Sequence, residues 1–202
     1  MAIRIFHVKG TRSVRVIWLC EELGVPCEVV PIDFSADYRN GDEWRAMSPT
    51  GKVPAMTDGD MTMFESGAMV QYILEKYGQG RLQPEPGTAD SALYLQWCWF
   101  AEATLARPLG DIMHHRYLKA EAERLPEMVV DGEKRARVCL EAVNSALQGQ
   151  DYLLAEFTAA DIMMGYSLLL AARVEVLDDR YPRVQVYFEK LKARSGYQTA
   201  TA

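Results

Sequence analysis

Residues 51–74, GKVPAMTDGDMTMFESGAMVQYIL, carry the pattern that decides the fold. The segment from Val53 to Ser66 contains two short strand candidates, and the Asp58-Gly59 pair between them is typical of a tight hairpin turn. A helix is predicted to begin near Glu65 and Ser66 and to continue with apolar residues at helical spacing until Gly78. The stretch therefore predicts a β-β-α unit with a proline at the start of its first strand.

The residues upstream predict a strand, a helix and a second strand. Residues 3–7 alternate in a strand-like run, and SVRVIWLCEELG at 13–24 places apolar residues near helical spacing before its terminal glycine. The segment CEVVPIDF at 27–34 is rich in β-branched residues, so it completes a βαβ unit with parallel strands and a right-handed crossover. A short helix is expected in DEWRAMSPTG at 42–51, which gives the order β-α-β-α-β-β-α.

The pattern changes after residue 79. GQGRLQPEPGT at 78–88 is rich in glycine and proline, and no convincing strand follows it. The sequence predicts an α/β domain at 1–79, a linker at 80–88 and an all-α helical domain at 89–202. The helices of the second domain are expected at about Ala89–Lys119, Pro126–Leu147, Thr158–Val174 and after Pro182.

The composition narrows the function classes. A net charge of −6 and a pI near 5.2 argue against a nucleic-acid-binding protein, and no apolar run approaches the roughly 20 residues of a membrane span. The N-terminus does not resemble a signal peptide, so we expect a cytoplasmic protein. The four cysteines form no CxxC pair and no zinc-ligand pattern, so neither a dithiol centre nor a metal site is expected: Cys20, Cys27, Cys98 and Cys139.

The Val53-Pro54 pair is a candidate peptide-binding edge. A proline suits the edge of a sheet, and a cis bond would turn the N–H and C=O of Val53 outward, where an extended peptide can pair with them. The alternative is an ordinary trans-proline turn, which is the commoner form of an isolated Val-Pro pair.

Two helix starts carry hydroxyl groups that suit an anionic ligand. At the helix beginning near Glu65, the unpaired N–H groups and the Ser66 hydroxyl can receive a carboxylate, and Glu65 can face an ammonium group. At the first helix, the hydroxyl of Thr11 or Ser13 can donate to a ligand thiolate and so lower the pKa of that thiol. In each case the alternative is that these residues cap their own helix.

Taken together, these segments resemble the cytosolic glutathione transferase family, in its bacterial-type members that activate the thiol with a serine or threonine. The resemblance rests on TRSVRVIWLCEELGVP at 11–26, SPTGKVPAM at 48–56, FESGAMVQYILEKYG at 64–78, QWCWFAEATLARPL at 96–109 and FTAADIMMGYSLLL at 157–170. It spans nearly the whole chain, and it implies a thioredoxin-like N-terminal domain, an all-helical C-terminal domain and a homodimer.

The resemblance also implies roles for individual residues. Val53, in its loop with Pro54, would bind the cysteinyl backbone of glutathione, and Glu65 with Ser66 would bind the γ-glutamyl end. Lys52 would lie near the glycyl carboxylate or at the rim of the same ligand. Thr11 is the first candidate for the residue that activates the thiol and Ser13 the second, although the family usually has serine, tyrosine or cysteine and a backbone N–H is an alternative. Phe100 and Arg107 are candidates for the wall of the second-substrate pocket.

The implied activity is detoxification by conjugation of the glutathione thiolate to a hydrophobic electrophile, with glutathione as co-substrate and no other cofactor. A glutathione-dependent peroxidase or disulfide reductase and a non-catalytic glutathione-binding module are alternatives. The segment FTAAD has a different expected role, because Thr158 and Asp161 have the spacing of a helix capping box.

Overall fold

A four-stranded mixed sheet forms the centre of the N-terminal part of this computed structural model, which describes residues 3–202. The spatial order is β2-β1-β3-β4, with β1 and β2 parallel and the other two neighbouring pairs antiparallel. The strands are β1 (Ile3–His7), β2 (Cys27–Pro31), β3 (Ala55–Asp58) and β4 (Met61–Phe64). This arrangement confirms the predicted α/β domain of thioredoxin-like type.

Four helices accompany the sheet: α1 (Ser13–Leu23), α2 (Ala36–Asn40), α3 (Asp42–Met47) and α4 (Ser66–Tyr77). Helix α1 is buried over most of its length, and it ends at Gly24, whose left-handed φ of 62° lets its N–H reach the carbonyls of Cys20 and Glu21. The sequence did not predict α2, a five-residue helix whose N-terminus is capped by the hydroxyl of Ser35.

The predicted hairpin is present with its turn one residue further on. Asp58 pairs with Met61 as the last residue of β3, so the two-residue connection is Gly59-Asp60 rather than Asp58-Gly59. Gly59 has a φ of 61°, which a residue with a side chain adopts less readily.

The second half is helical, as expected. Its helices are α5 (Ala89–Trp99), α6 (Ala106–Met113), α7 (Pro126–Ala146), α8 (Ala159–Arg173), α9 (Pro182–Lys192) and α10 (Ser195–Thr201). The long helix predicted from Ala89 contains two wider π-helical stretches, at Phe100–Leu105 and His114–Leu118. Pro108 has no N–H to donate to the carbonyl of Thr104, which instead lies 3.8 Å from the Cys139 sulfur as acceptor.

The described residues divide into two compact units. One contains the residues up to Leu82 together with Lys192–Ala202, and the other contains Gln83–Leu191. The C-terminal helix α10 packs on α1 within the first unit, and the sequence pattern did not indicate this return of the chain. The domain boundaries drawn from the sequence, with a linker at 80–88, stay a prediction.

Among residues 3–202, no helix combines the length and the apolar character that crossing a membrane requires.

Candidate functional site

The strand register brings three loops to one end of the sheet. Phe6 of β1 lies opposite Ala55 of β3, and Ala55 lies opposite Phe64 of β4. The chain leaves β1 just after Phe6, enters β3 just before Ala55 and leaves β4 just after Phe64. The residues that follow β1, precede β3 and follow β4 therefore share this end, which is where the predicted glutathione-binding residues lie.

The loop before β3 presents an unpaired stretch of main chain. The Val53–Pro54 bond is cis. Within residues 3–202, the N–H and C=O of Val53 have no main-chain partner. The neighbouring Lys52 is held on both sides, because its N–H donates to the Ser48 hydroxyl at 3.2 Å and its C=O accepts from that hydroxyl at 2.8 Å. Ser48 is buried, so it anchors the loop from the inside while the side chain of Lys52 is exposed.

The start of α4 is tied to α1 by a buried arginine. Ser66, the first residue of α4, is 3% exposed and accepts a hydrogen bond from Nη1 of Arg15 at 3.2 Å. Arg15 lies on α1 and is fully buried. Because the Ser66 oxygen acts as the acceptor in this contact, its hydroxyl proton is available to donate to a ligand carboxylate.

Glu65 has an unusual backbone conformation. Its φ is 76° and its ψ 103°, values that are rare for a residue other than glycine and that occur preferentially at functional sites. Its exposed side chain makes no capping hydrogen bond to α4. The alternative that Glu65 caps its own helix is therefore not what the structure shows.

The loop after β1 contains a short chain of hydrogen-bonding groups. The Thr11 hydroxyl lies 2.7 Å from the Val8 carbonyl oxygen and 2.8 Å from the Ser13 hydroxyl. The Ser13 oxygen lies 2.8 Å from Nδ1 of His7. Burial, followed by the charge of Lys9, lowers the pKa of His7 below its ordinary value of 6.5. Thr11 is half-buried, so its hydroxyl can still meet a ligand.

Neither hydroxyl caps α1. The N-cap residue is Arg12, and its side chain makes no capping bond. The two hydroxyls are engaged with each other and with residues of the loop after β1. A thiolate placed at this helix start would meet both the partial positive charge of α1 and a hydroxyl donor.

The two candidates for the second-substrate pocket lie in the helical unit. Phe100 packs edge-on against Trp97 at a centroid distance of 5.3 Å. Arg107 is exposed and pairs with Asp111 at 3.5 Å, one turn further along α6. These contacts are internal to that unit, and the predicted role of both residues stays a prediction.

Sequence reasoning missed three residues of the site. The sequence pattern indicates His7 only as the end of a strand and Arg15 only as part of the first helix, and it gives Ser48 no role of its own. The sequence offered one sign of such a residue, the position of Arg15 among the apolar residues of the first helix. An arginine that is buried in such a helix needs a polar partner, because arginine is seldom fully buried without one. Among residues 3–202, no group of three or more histidine, cysteine, aspartate or glutamate side chains has a geometry suited to a metal ion.

Comparison with known proteins identifies the family. The model of the glutathione S-transferase N-terminal domain matches residues 1–75. Glutathione S-transferase 3 of Zea mays is 30% identical over 199 residues, covering 94% of this chain and 88% of that protein. Glutathione S-transferase 3 of Schizosaccharomyces pombe is 27% identical over 208 residues, covering 96% and 84%.

Two solved structures extend the likeness to three dimensions. The glutathione transferase URE2P8 from Phanerochaete chrysosporium, solved with oxidized glutathione, superimposes with a TM-score of 0.87 at 25% identity, covering 98% of this chain and 92% of that one. The theta class glutathione S-transferase from Xanthomonas axonopodis pv. citri, solved with glutathione bound, gives a TM-score of 0.84 at 27% identity, covering 99% and 97%. The chain belongs to the glutathione S-transferase family.

Proposed function

We propose that this protein binds glutathione at the end of the sheet and conjugates its thiolate to hydrophobic electrophiles. The observation that carries the proposal is the convergence of three unlike groups there: the unpaired main chain of Val53, the Arg15-anchored hydroxyl of Ser66 and the hydroxyl of Thr11. Two solved relatives bind oxidized glutathione or glutathione, which supports the same ligand for this chain.

Each part of the tripeptide has a matching partner in this proposal. The cysteinyl residue pairs with Val53 in the manner of an added strand, so the main chain supplies affinity and the sulfur is held in position. The γ-glutamyl carboxylate accepts from the Ser66 hydroxyl at the start of α4, and its ammonium faces Glu65. The exposed Lys52 side chain meets the glycyl carboxylate. Glutathione is the co-substrate, and the proposal needs no other cofactor.

Thr11 stabilises the sulfur in this mechanism. The bound thiol loses its proton to water, and the Thr11 hydroxyl together with the start of α1 stabilises the thiolate, which lowers the pKa of the thiol. The thiolate then attacks an electrophilic carbon, and with a chloronitrobenzene the S–C bond forms as the C–Cl bond breaks and chloride leaves. The nucleophile belongs to the substrate, and no cysteine lies between Val8 and Ser13.

Phe100 and Arg107 are proposed to form part of the wall of the electrophile pocket. The aromatic ring of Phe100 suits an apolar co-substrate. We assign the protein to the cytoplasm as part of the same proposal, since glutathione chemistry needs a reduced thiol pool.

A homodimer is the proposed assembly. Helix α5 exposes large apolar side chains, among them Leu95 at 44% and Trp99 at 66%, which are four residues apart and so lie on one face. Apolar faces of this kind often mark protein interfaces. Sedimentation at micromolar concentration should give twice the chain mass, and Trp99→Glu should shift it toward the monomer. A monomeric parent protein would contradict the assembly.

The central test measures binding and turnover separately. Calorimetry with glutathione should give saturable binding, and Ser66→Ala should weaken it by roughly tenfold because a hydrogen bond to a charged group is lost. Glu65→Gln, which keeps the size of the side chain, should weaken binding by a smaller factor.

Turnover of a chloronitrobenzene with glutathione should then be detectable and should depend on Thr11. If the protein reduced peroxide with glutathione but conjugated no electrophile, its activity would be that of a glutathione peroxidase. Binding with no turnover of several electrophiles or of peroxide would leave a glutathione-binding module. Absence of binding would overturn the proposal.

A further inference from the structure

The loop after β1 contains more short contacts than its hydroxyl protons can satisfy. Three short contacts form a chain that begins at the Val8 carbonyl and ends at His7. The Thr11 hydroxyl lies 2.7 Å from the Val8 carbonyl oxygen and 2.8 Å from the Ser13 hydroxyl, which lies 2.8 Å from Nδ1 of His7. Each of them needs one proton, since oxygen and nitrogen lone pairs at this separation repel one another. The two hydroxyls supply only two protons.

The missing proton has one possible source. The Val8 carbonyl is an acceptor only, so the third proton must be an N–H at Nδ1 of His7. That assignment fixes the direction of the whole chain, in which His7 donates to Ser13, Ser13 donates to Thr11 and Thr11 donates to the Val8 carbonyl. If Nδ1 carried no proton, Ser13 would have to donate to His7, and one of the two Thr11 contacts would then lack a hydrogen.

We propose that His7 and Ser13 are positioning residues, which hold the Thr11 oxygen as an acceptor on one side and leave its proton directed toward the ligand sulfur. This inference rests on the function proposed above. When a thiolate occupies the site, the Thr11 hydroxyl turns its proton from the Val8 carbonyl to the sulfur and the Thr11–Val8 contact lengthens, while Ser13 continues to donate to Thr11. Each donor in such a chain polarises the next, so the Thr11 hydroxyl becomes a stronger donor.

The burial of the three side chains agrees with this order. Ser13 is fully buried, whereas Thr11 is half-buried at the front of the chain. His7 is half-buried behind Ser13, and Lys9 is the charged group that acts on it. The lowered pKa of His7 favours a neutral ring at neutral pH, and the neutral tautomer with the proton on Nδ1 supplies the donor that the chain needs.

The tautomer can be tested without any ligand. The three histidines offer internal references, since Nδ1 of His114 lies 3.0 Å from the Gly110 carbonyl and must donate, while Nδ1 of His115 accepts from the Leu125 N–H at 3.1 Å. Nitrogen NMR of the parent protein above pH 7 should give His7 a protonated Nδ1, like His114 and unlike His115. The His7 signal is identified by its loss in His7→Asn.

The variants at His7 distinguish the effect of losing the hydrogen-bond donor from the effect of changing the shape of the side chain. His7→Asn places an amide N–H near the position of Nδ1 and should retain the parental pKa of the bound glutathione thiol. His7→Leu removes the donor and should raise that pKa by about 0.1–0.6 unit, because one cooperative neighbour adds roughly 10–30% to the hydrogen bond it polarises. Ser13→Ala breaks the chain at its middle and should raise it by a similar amount.

The experiment follows thiolate absorbance of bound glutathione against pH, with calorimetric Kd measured on the same samples. The Kd of glutathione with a protonated thiol should be unchanged in all variants. The pKa of the bound thiol should be raised in His7→Leu and Ser13→Ala and should return to the parental value in His7→Asn. Equal thiol pKa values in all four proteins, or a His7 tautomer like that of His115, would overturn the inference. A parent protein that fails to bind glutathione would overturn the proposed function instead, while the tautomer measurement would still decide the hydrogen-bond chain.

Discussion

Thr11, the proposed donor to the glutathione sulfur, has one methyl group more than serine. Its hydroxyl already lies in a hydrogen-bonding loop, 2.7 Å from the Val8 carbonyl and 2.8 Å from Ser13. The branched side chain restricts χ1, so fewer rotamers compete with the one that points along this chain. This conformation is compatible with the donor role that we propose for Thr11.

The first prediction concerns Thr11 itself. Thr11→Ser should keep the pKa of the bound glutathione thiol within a few tenths of a unit, because the donor is retained. Thr11→Ala should raise that pKa by about 1–2 units, the equivalent of the roughly 1.5–3 kcal/mol of a hydrogen bond to a charged group. Spectroscopic titration of the bound thiol measures both. If Thr11→Ala left the pKa unchanged, a backbone N–H would be the activating donor instead.

Asp58 at the end of β3 provides the clearest pH dependence in the first unit. One oxygen of its carboxylate accepts from Lys76 at 2.7 Å, from Tyr77 at 2.6 Å and from Tyr72 at 2.7 Å, and its side chain is only 6% exposed. The hydrogen bond from Lys76, followed by that from Tyr77, lowers the pKa of Asp58 from 3.8 to about 2.

The second prediction follows from the sign of this shift. Because the folded-state pKa is depressed, the ionised Asp58 contributes stability that is present above about pH 4 and is lost as the pH falls toward about 2. Asp58→Asn should lower the free energy of unfolding by about 2 kcal/mol at pH 7 and flatten its acid dependence in that window. Urea titrations at a series of pH values measure both effects. Asp60→Asn in the same turn is the control, since it removes a carboxylate but none of these three hydrogen bonds.

At the scale of elements, the start of α8 is stabilised by several side-chain hydrogen bonds. Asp161 is fully buried and accepts four hydrogen bonds, from the N–H groups of Leu153 and Thr158 and from the hydroxyls of Tyr187 and Thr158. Thr158 in turn accepts from the Ala160 N–H. The predicted capping box is present, and the Asp161 side chain also links α8 to α9 and to the segment before it.

The third prediction separates this folding role from chemistry. Thr158→Ala should cost about 1 kcal/mol of stability, the usual effect of losing a helix cap. Asp161→Ala should cost several times more, since it leaves buried donors without an acceptor. Thermal unfolding measures the loss, and the kcat of folded enzyme at low temperature should stay near the parental value. Unchanged melting temperatures in both variants would contradict the structural role.

The order of elements was predictable because the period of the apolar residues changes from two to about 3.6 at each strand-to-helix step. Two glycines also marked element boundaries in the sequence, since Gly24 ends α1 and Gly59 lies in the hairpin turn. The apolar pattern did not indicate α2, which has only five residues and none of them buried, nor the two π-helical stretches.

The candidate site also contains some residues that could be predicted from the sequence and some that could not. Val53, Ser66 and Thr11 stand at positions where local pattern already favours a strand edge or a helix start. The contribution of His7 depends instead on its burial and on its contact with the Ser13 hydroxyl, and that of Arg15 on its contact with Ser66, 51 residues further along the chain. No local pattern carries that information.

At the scale of the whole molecule, the last helix closes the first unit. Glu22 near the end of α1 is 12% exposed and accepts from the Trp18 indole at 2.8 Å and from two nitrogens of Arg194, each at 2.7 Å. Tyr197 packs edge-on against Trp18 at 5.1 Å. A Cβ on Gly196 would lie 2.6 Å from the Trp18 ring, so this close approach of α10 to α1 requires glycine.

The fourth prediction is that the C-terminal helix controls the stability of the unit that contains the candidate glutathione site. Arg194→Met should cost about 2 kcal/mol, because it removes a bidentate, charge-assisted pair from a nearly buried carboxylate. Arg194→Lys, the matched control, keeps the charge but not the fork and should lose less. Gly196→Ala should cost about 1–3 kcal/mol through overpacking against Trp18.

Hydrogen exchange measured by mass spectrometry locates the effect. Because α10 packs on α1, the expected loss of protection in Arg194→Met and Gly196→Ala falls on β1 and α1, while α8 in the helical unit keeps its protection. Glutathione should restore protection in β1 and α1, since a ligand that binds only the folded state stabilises it by mass action. An equal loss in both units would mean that they unfold together, and no loss in either would mean that α10 is dispensable for the sheet that carries the site.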